Sequence, residues 1–166
     1  LAVVSEIPFN LENGAVFDPA RQNVLFTFCL ALLTLRGLEA LGRERGFGRW
    51  AGCGLVLAAG FAAGELLRTD YGGWGVVTVA LLYLCRDGKY AKLWLLLAMA
   101  AVNGLGMGSL TMPFFGGEMP IQIFAVAALP VIWLYNGQAG PKGLRRAFYV
   151  FYPAHLLVLE GIRTLT

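Results

Sequence analysis

Val24-Leu-Phe-Thr-Phe-Cys-Leu-Ala-Leu-Leu-Thr-Leu35, closed by the basic turn Gly42-Arg-Glu-Arg-Gly46, decides the fold. An apolar stretch over 22–41 has the length that crosses the hydrocarbon of a bilayer as one helix. Working outward, the same pattern returns at 50–67, 72–85, 91–107, 120–135 and 147–162, each bounded by a charged or glycine-rich turn. The segment 72–85 is short for a full span, which tilt or local bilayer thinning absorbs. Residues 1–9 read as the end of a preceding helix, stopped near Pro8. Because Leu1 opens inside an apolar stretch with no charged leader, the expectation is that further helices precede it. Hydrophobic residues make up 58% of the chain and charged residues 14%, against about 25% charged in soluble domains. Mean hydropathy is +0.66. The predicted fold class is therefore all-α, one transmembrane bundle over 1–166 with about six spans. Strands are not expected, since alternation of period two is absent and open sheets cannot face lipid.

The charges set the predicted topology. Arg43, Arg45 and Arg49 fill the 42–49 turn, Arg86, Lys89 and Lys92 the 86–92 turn, and Lys142, Arg145 and Arg146 the 136–146 turn. Between them the opposite side gathers Glu6, Glu12, Asp18, Glu65, Asp70, Glu118 and Glu160, with only Arg21, Arg68 and Arg163. Basic loops stay cytoplasmic, so these three turns face inward, and the C-terminus faces outward. The cations are spread over alternate turns rather than gathered on one face, which speaks against nucleic acid. Gly60-x-x-x-Gly64 and Gly104-x-x-x-Gly108 have the spacing that lets helices approach closely.

Ionisable groups inside apolar helices are costly and are functional candidates by default. His155, the single histidine, falls in mid-span within Phe148-Tyr-Val-Phe-Tyr-Pro-Ala-His155, on one helical face with Phe148, Tyr152 and Leu159. Pro153 lacks an N–H and is expected to kink that helix. The alternative is a histidine hydrogen-bonded to a neighbouring helix for stability. Glu6, Gln22, Asn23, Glu65, Asp70, Glu118 and Gln122 approach the outer surface, where Arg68 could pair with Glu65. The expected depths of His155 and Asp70 differ by about half a span. Tyr135-Asn136-Gly137 reads first as a tight turn. Cys29, Cys53 and Cys85 sit singly in three different runs, and with one histidine they suggest no metal site. Phosphate-loop, zinc-protease and serine-elbow motifs do not occur.

The strings Ser5-Glu-Ile-Pro-Phe-Asn10, Gln22-Asn-Val-Leu-Phe-Thr27, Thr69-Asp-Tyr-Gly72, Leu134-Tyr-Asn-Gly137 and Phe148-Tyr-Val-Phe-Tyr-Pro-Ala-His155-Leu resemble the TraX family of bacterial membrane proteins. They occur in the family's order across nearly the whole chain. The resemblance implies a multi-pass protein of the bacterial cytoplasmic membrane and acetylation of a conjugative pilin, with a distant likeness to acyltransferases that use acyl-CoA. It carries over Glu6, Gln22, Asn23, Asp70, Tyr135, Asn136, Tyr152 and His155 as site positions. His155, Tyr152, Glu6 and Asp70 are then the expected catalytic group; Gln22, Asn23, Tyr135 and Asn136 the expected substrate contacts. Arg145 and Arg146, with Lys142, could hold the phosphates of an acyl-CoA, although topology alone explains a basic turn. The expected partners are the lipid bilayer and a pilin or other envelope acceptor, with acetyl-CoA or another acyl-CoA as donor and no metal. Family members usually begin with additional helices, one bearing an Asp-His pair, and this chain begins after them. The competing expectation is a binding, transport or assembly protein whose polar residues line a path or dock a helix.

Overall fold

The computed structural model describes residues 1–166 except 13, 16–17, 43–46, 108–109, 139, 142–143 and 166; the side chains of Glu12, Arg145 and Arg146 are likewise outside the description. Seven α-helices are described: α1 (Ala2–Glu12), α2 (Val24–Leu41), α3 (Phe47–Leu66), α4 (Gly72–Leu84), α5 (Ala91–Ala101), α6 (Leu129–Trp133) and α7 (Leu144–Leu165). A π turn, Val102–Gly106, extends α5, and a 3-10 segment, Ile121–Ala128, leads into α6. The chain is predominantly helical, as the apolar periodicity implies. By length and composition α2 alone among the described helices suffices to cross a membrane; Gly72–Leu84, Ala91–Gly106 and Ile121–Trp133 are shorter apolar helices.

Helices α2, α3 and α4 each pack on the other two and form the core. What lies between them is small: Ala31, Thr27, Thr34, Gly60, Gly64, Gly73, Gly75 and Ala80 are buried. A Cβ on Gly64 would sit 2.7 Å from the carbonyl carbon of Gly72, so the α3–α4 approach requires glycine there. Gly60 faces Thr34 and Val76 in the same way. The large side chains point outward instead: Leu33 is 69% exposed and Leu55 72%. Small residues inside and large apolar residues outside is the arrangement that close packing in lipid favours. Gly108, from the second small-residue pair, lies outside the described residues.

A second layer on α4 comprises α5, the π turn, the 3-10 segment and α6, centred on Leu95, Met99 and Leu129. Helix α1 pairs with α7 and touches the core mainly through α2. Helix α1 does not stop near Pro8; it continues to Glu12, because Phe9 and Asn10 beyond the proline are buried and that packing offsets the lost hydrogen bond. Helix α7 runs unbroken through Pro153.

The expectation of no strands also needs correction. Thr111–Phe114 (β1) and Gly117–Pro120 (β2) pair antiparallel, with Thr111 opposite Pro120 and Phe114 opposite Gly117. Phe115 and Gly116 at the tip have φ of 46° and 83°. Two positive values in a two-residue loop are the signature of the turn that matches strand twist. Each strand is four residues long and carries a proline, so neither shows the alternation that would have revealed it. The hairpin occupies the connection between two apolar segments.

Candidate functional site

Asn23 organises one end of the bundle. It is fully buried and caps α2 through Oδ1, which accepts the Leu25 N–H at 3.0 Å. Its Nδ2 donates to the Ala2 carbonyl at 2.9 Å and to the Glu6 carboxylate, and its backbone N–H donates to Glu6 Oε2 at 3.3 Å. A carboxylate at a helix N-terminus is stabilised by the helix dipole, so Glu6 locks α1 against the start of α2. The second oxygen of Glu6, Oε1, is buried without a partner.

Next to this lock the backbone makes a short clamp. Gln22 N–H donates to the Arg68 carbonyl at 3.0 Å, and Asp70 N–H donates to the Gln22 carbonyl at 2.8 Å. That bridge ties the start of α2 to the α3–α4 turn. Glu65 does not serve the turn as a partner of Arg68; its Oε1 accepts the Gly73 N–H at 2.8 Å and caps α4. The i,i+3 pairing loses because the free amide at the start of α4 is closer to a fixed geometry than the mobile guanidinium.

The clamp presents Arg21, Asp70 and Tyr71 to two clefts. One, of about 570 Å³, is also lined by Glu65, Arg68, Thr69 and Gln122. The other, of about 390 Å³, lies against Phe9 of α1 and Tyr152 and Leu156 of α7. Arg21 Nε stands 3.9 Å from Asp70 Oδ1, a loose ion pair. Burial raises the Asp70 carboxyl above its ordinary value of 3.8, and Arg21 only partly opposes it. The structure therefore sets Tyr152 and Asp70 on one cavity wall. Helix α7 packs mainly on α1, whose Phe9 lines the same cleft.

His155 stands one helical turn beyond Tyr152 and is not among the residues lining either cleft. Its ring stacks on Phe151 with centroids 5.2 Å apart and meets Tyr152 edge-on at 5.3 Å. Nδ1 lies 3.1 Å from the Phe151 carbonyl oxygen. A carbonyl only accepts, so Nδ1 carries the proton and the lone pair of the neutral ring sits on Nε2. That is the tautomer a general base needs.

Tyr135 and Asn136 are at the other end. Tyr135 Oη donates to the Gln138 carbonyl at 3.1 Å, and Asn136 Oδ1 accepts the Gln138 N–H at 3.0 Å. The Asn-Gly turn is what these bonds build, with Gly137 at φ 75°. Tyr135 lines a separate cavity with Arg86, Lys89 and Lys92. Of the expected site residues, Glu6, Gln22, Asn23, Asp70 and Tyr152 gather at the clamped end, His155 stands near them, and Tyr135 and Asn136 do not join. The side chains of Arg145 and Arg146, and all of Lys142, lie outside the described residues. Arg21 and Tyr71 are the cleft residues that sequence reasoning passed over; Tyr71 sits inside the string Thr69-Asp-Tyr-Gly72, and Arg21 directly precedes Gln22. Among the described residues no group of three or more His, Cys, Asp or Glu could hold a metal ion.

The model of the family described as TraX protein matches residues 1–163. A curated relative, "Probable fimbrial assembly protein FimC, serogroup H1" of Dichelobacter nodosus, is 31% identical over 158 residues, 93% of this chain. The chain spans 58% of that relative's length. No solved structure matches the chain.

Proposed function

The chain belongs to the TraX family, and on that premise we propose a membrane-embedded acyltransferase that moves an acetyl group from an acyl-CoA to a pilin-like or other envelope acceptor. In this reading the six apolar segments cross the bacterial cytoplasmic membrane, with the 42–49, 86–92 and 136–146 turns inside. The observation that carries it is the cleft where Arg21, Asp70, Tyr71 and Tyr152 converge, with His155 one turn away and its Nε2 lone pair available. His155 Nε2 takes the proton of an acceptor amine or hydroxyl, which attacks the thioester carbonyl carbon. The new C–N or C–O bond forms as the C–S bond breaks, and the proton passes to the departing thiolate. Tyr152 orients the acceptor; Glu6 and Asn23 hold the scaffold. General-base help of this kind contributes about 10²–10⁴-fold.

The test is His155→Ala in the full-length protein, with acetylated acceptor quantified by mass spectrometry. Loss of product by at least two orders of magnitude is expected; wild-type turnover rejects the role.

A second reading is favoured by the relative described as a probable fimbrial assembly protein: a non-enzymatic assembly protein, with the cleft docking an envelope subunit. A variant that still assembles pili without transferring acetyl groups selects it.

A further inference from the structure

The cavity at the opposite end of the bundle carries a different chemistry. It measures about 610 Å³ and lies between the α4–α5 turn and α6. Arg86, Lys89 and Lys92 line it, and no carboxylate does among the described residues. Asp87 pairs with Arg86 at 2.9 Å, which leaves Lys89 and Lys92 over aromatic rings, Lys89 above Tyr90 at 5.3 Å and Lys92 above Trp133 at 5.5 Å. Trp133 Nε1 is buried and has no acceptor. Helix α5 begins at this cavity with no side-chain cap. Lys89, Lys92 and Trp133, with the start of α5, thus border a cavity that no carboxylate lines among the described residues.

The rest of the wall is apolar. Leu95 and Ile132 line the same cavity, and the flanks outside it expose Leu93, Trp94 and Val131. A small free anion satisfies the cations and leaves this apolar wall wet. An uncharged lipid covers the wall and leaves the cations and Trp133 unanswered. One ligand chemistry meets both demands: a phosphate ester joined to hydrocarbon chains.

We propose that this cavity is a binding site for one anionic phospholipid, its phosphate held by Lys89, Lys92 and Trp133 Nε1 and its chains laid along Leu95 and Ile132. Basic pockets between helices at the cytoplasmic face are suited to such head groups, and each lysine near the surface is worth about fivefold in affinity. The proposal rests on the membrane placement argued above, and not on acyl transfer.

The full chain is reconstituted in phosphatidylcholine nanodiscs with and without phosphatidylglycerol, and retained lipid is counted by native mass spectrometry after release into detergent. Wild type retains one phosphatidylglycerol in preference to phosphatidylcholine. Lys89→Gln with Lys92→Gln weakens that retention about 25-fold, and Trp133→Phe, which keeps the ring but removes the N–H, weakens it by less. Equal retention by wild type and the double variant overturns the site. Displacement of the lipid by inorganic phosphate or a free acyl-CoA at matched concentration overturns it too, in favour of a soluble phosphate ligand. A chain that enters nanodiscs yet shows no preference sinks the lipid site alone; failure to enter a bilayer sinks the placement beneath it.

Discussion

At one end of the bundle Arg21 and Asp70 face each other at the mouth of two clefts, on backbone clamped by the Gln22–Asp70 bridge and braced by Glu6 and Asn23. At the other, Arg86, Lys89 and Lys92 stand on a turn whose side chains are exposed; Arg86 pairs with Asp87, and each of the three cations lies over an aromatic ring. The first end mixes both signs of charge on backbone that part-buried hydrogen bonds hold in place. The second holds three cations to one carboxylate, Asp87, so an excess of positive charge faces outward. Fixed, mixed charge suits a site where geometry decides a reaction. Exposed charge of one sign suits orientation in a membrane and attraction of anions. Substitutions at the first end should therefore change folding and those at the second should not.

The largest effect is expected at Asn23. Asn23→Ala removes the α2 cap, which costs about 1 kcal/mol, and takes the side-chain donor from a partly buried Glu6 carboxylate, which costs about 1.5–3 kcal/mol. The destabilisation should be about 3 kcal/mol in a denaturant titration of the protein in detergent. Asn23→Asp restores the cap but sets a second carboxylate beside Glu6, so it should rescue little. A loss below about 1 kcal/mol for the alanine variant would mean that α1 is held by α7 and not by this lock.

That lock shows how unevenly the site was legible. Asn23 was visible as a polar residue at the start of one apolar segment and Glu6 as a carboxylate near the end of another, yet nothing in their spacing of seventeen residues says that they bond. The cap could be read from Asn before an apolar run; the carboxylate arriving from another helix could not. Likewise the apolar runs predicted most helices within a few residues, because their period and length are local properties. The hairpin at 111–120 and the pairing of α7 with α1 escaped, since both depend on which surfaces meet. His155 was singled out as the one histidine of the chain, in mid-span of an apolar run, which is a local property of the sequence.

A smaller effect is expected at Asp70, and it depends on pH. Burial raises this carboxyl above its ordinary value and outweighs Arg21. The folded state thus binds the proton more tightly than the unfolded state. The resulting stabilisation is fully present below the unfolded value of 3.8 and is lost as pH rises through the raised folded value. Asp70→Asn, which cannot ionise, should flatten that segment of the stability–pH curve and leave the protein no less stable at neutral pH. A wild-type curve that instead rises across the window would show Arg21 dominating, and the two ends would differ less than proposed.

The smallest effect is expected at the basic end. Lys89→Gln with Lys92→Gln, measured in detergent without added anionic lipid, should leave the unfolding midpoint within the scatter of the wild type. The only described attraction that Lys92 forfeits is its contact with Trp133, and at 5.5 Å from the ring centroid that ammonium stands near the limit of useful cation–π distance. Against this small loss, removing two like charges from one turn relieves repulsion with Arg86. The two terms oppose each other and both are screened by solvent. A marked destabilisation would therefore mean that the lysines brace α5 against α6, making the basic end as structural as the clamped one. A silent double variant in detergent, combined with weakened retention of anionic lipid, separates the two roles: the cations then act on what lies outside the fold.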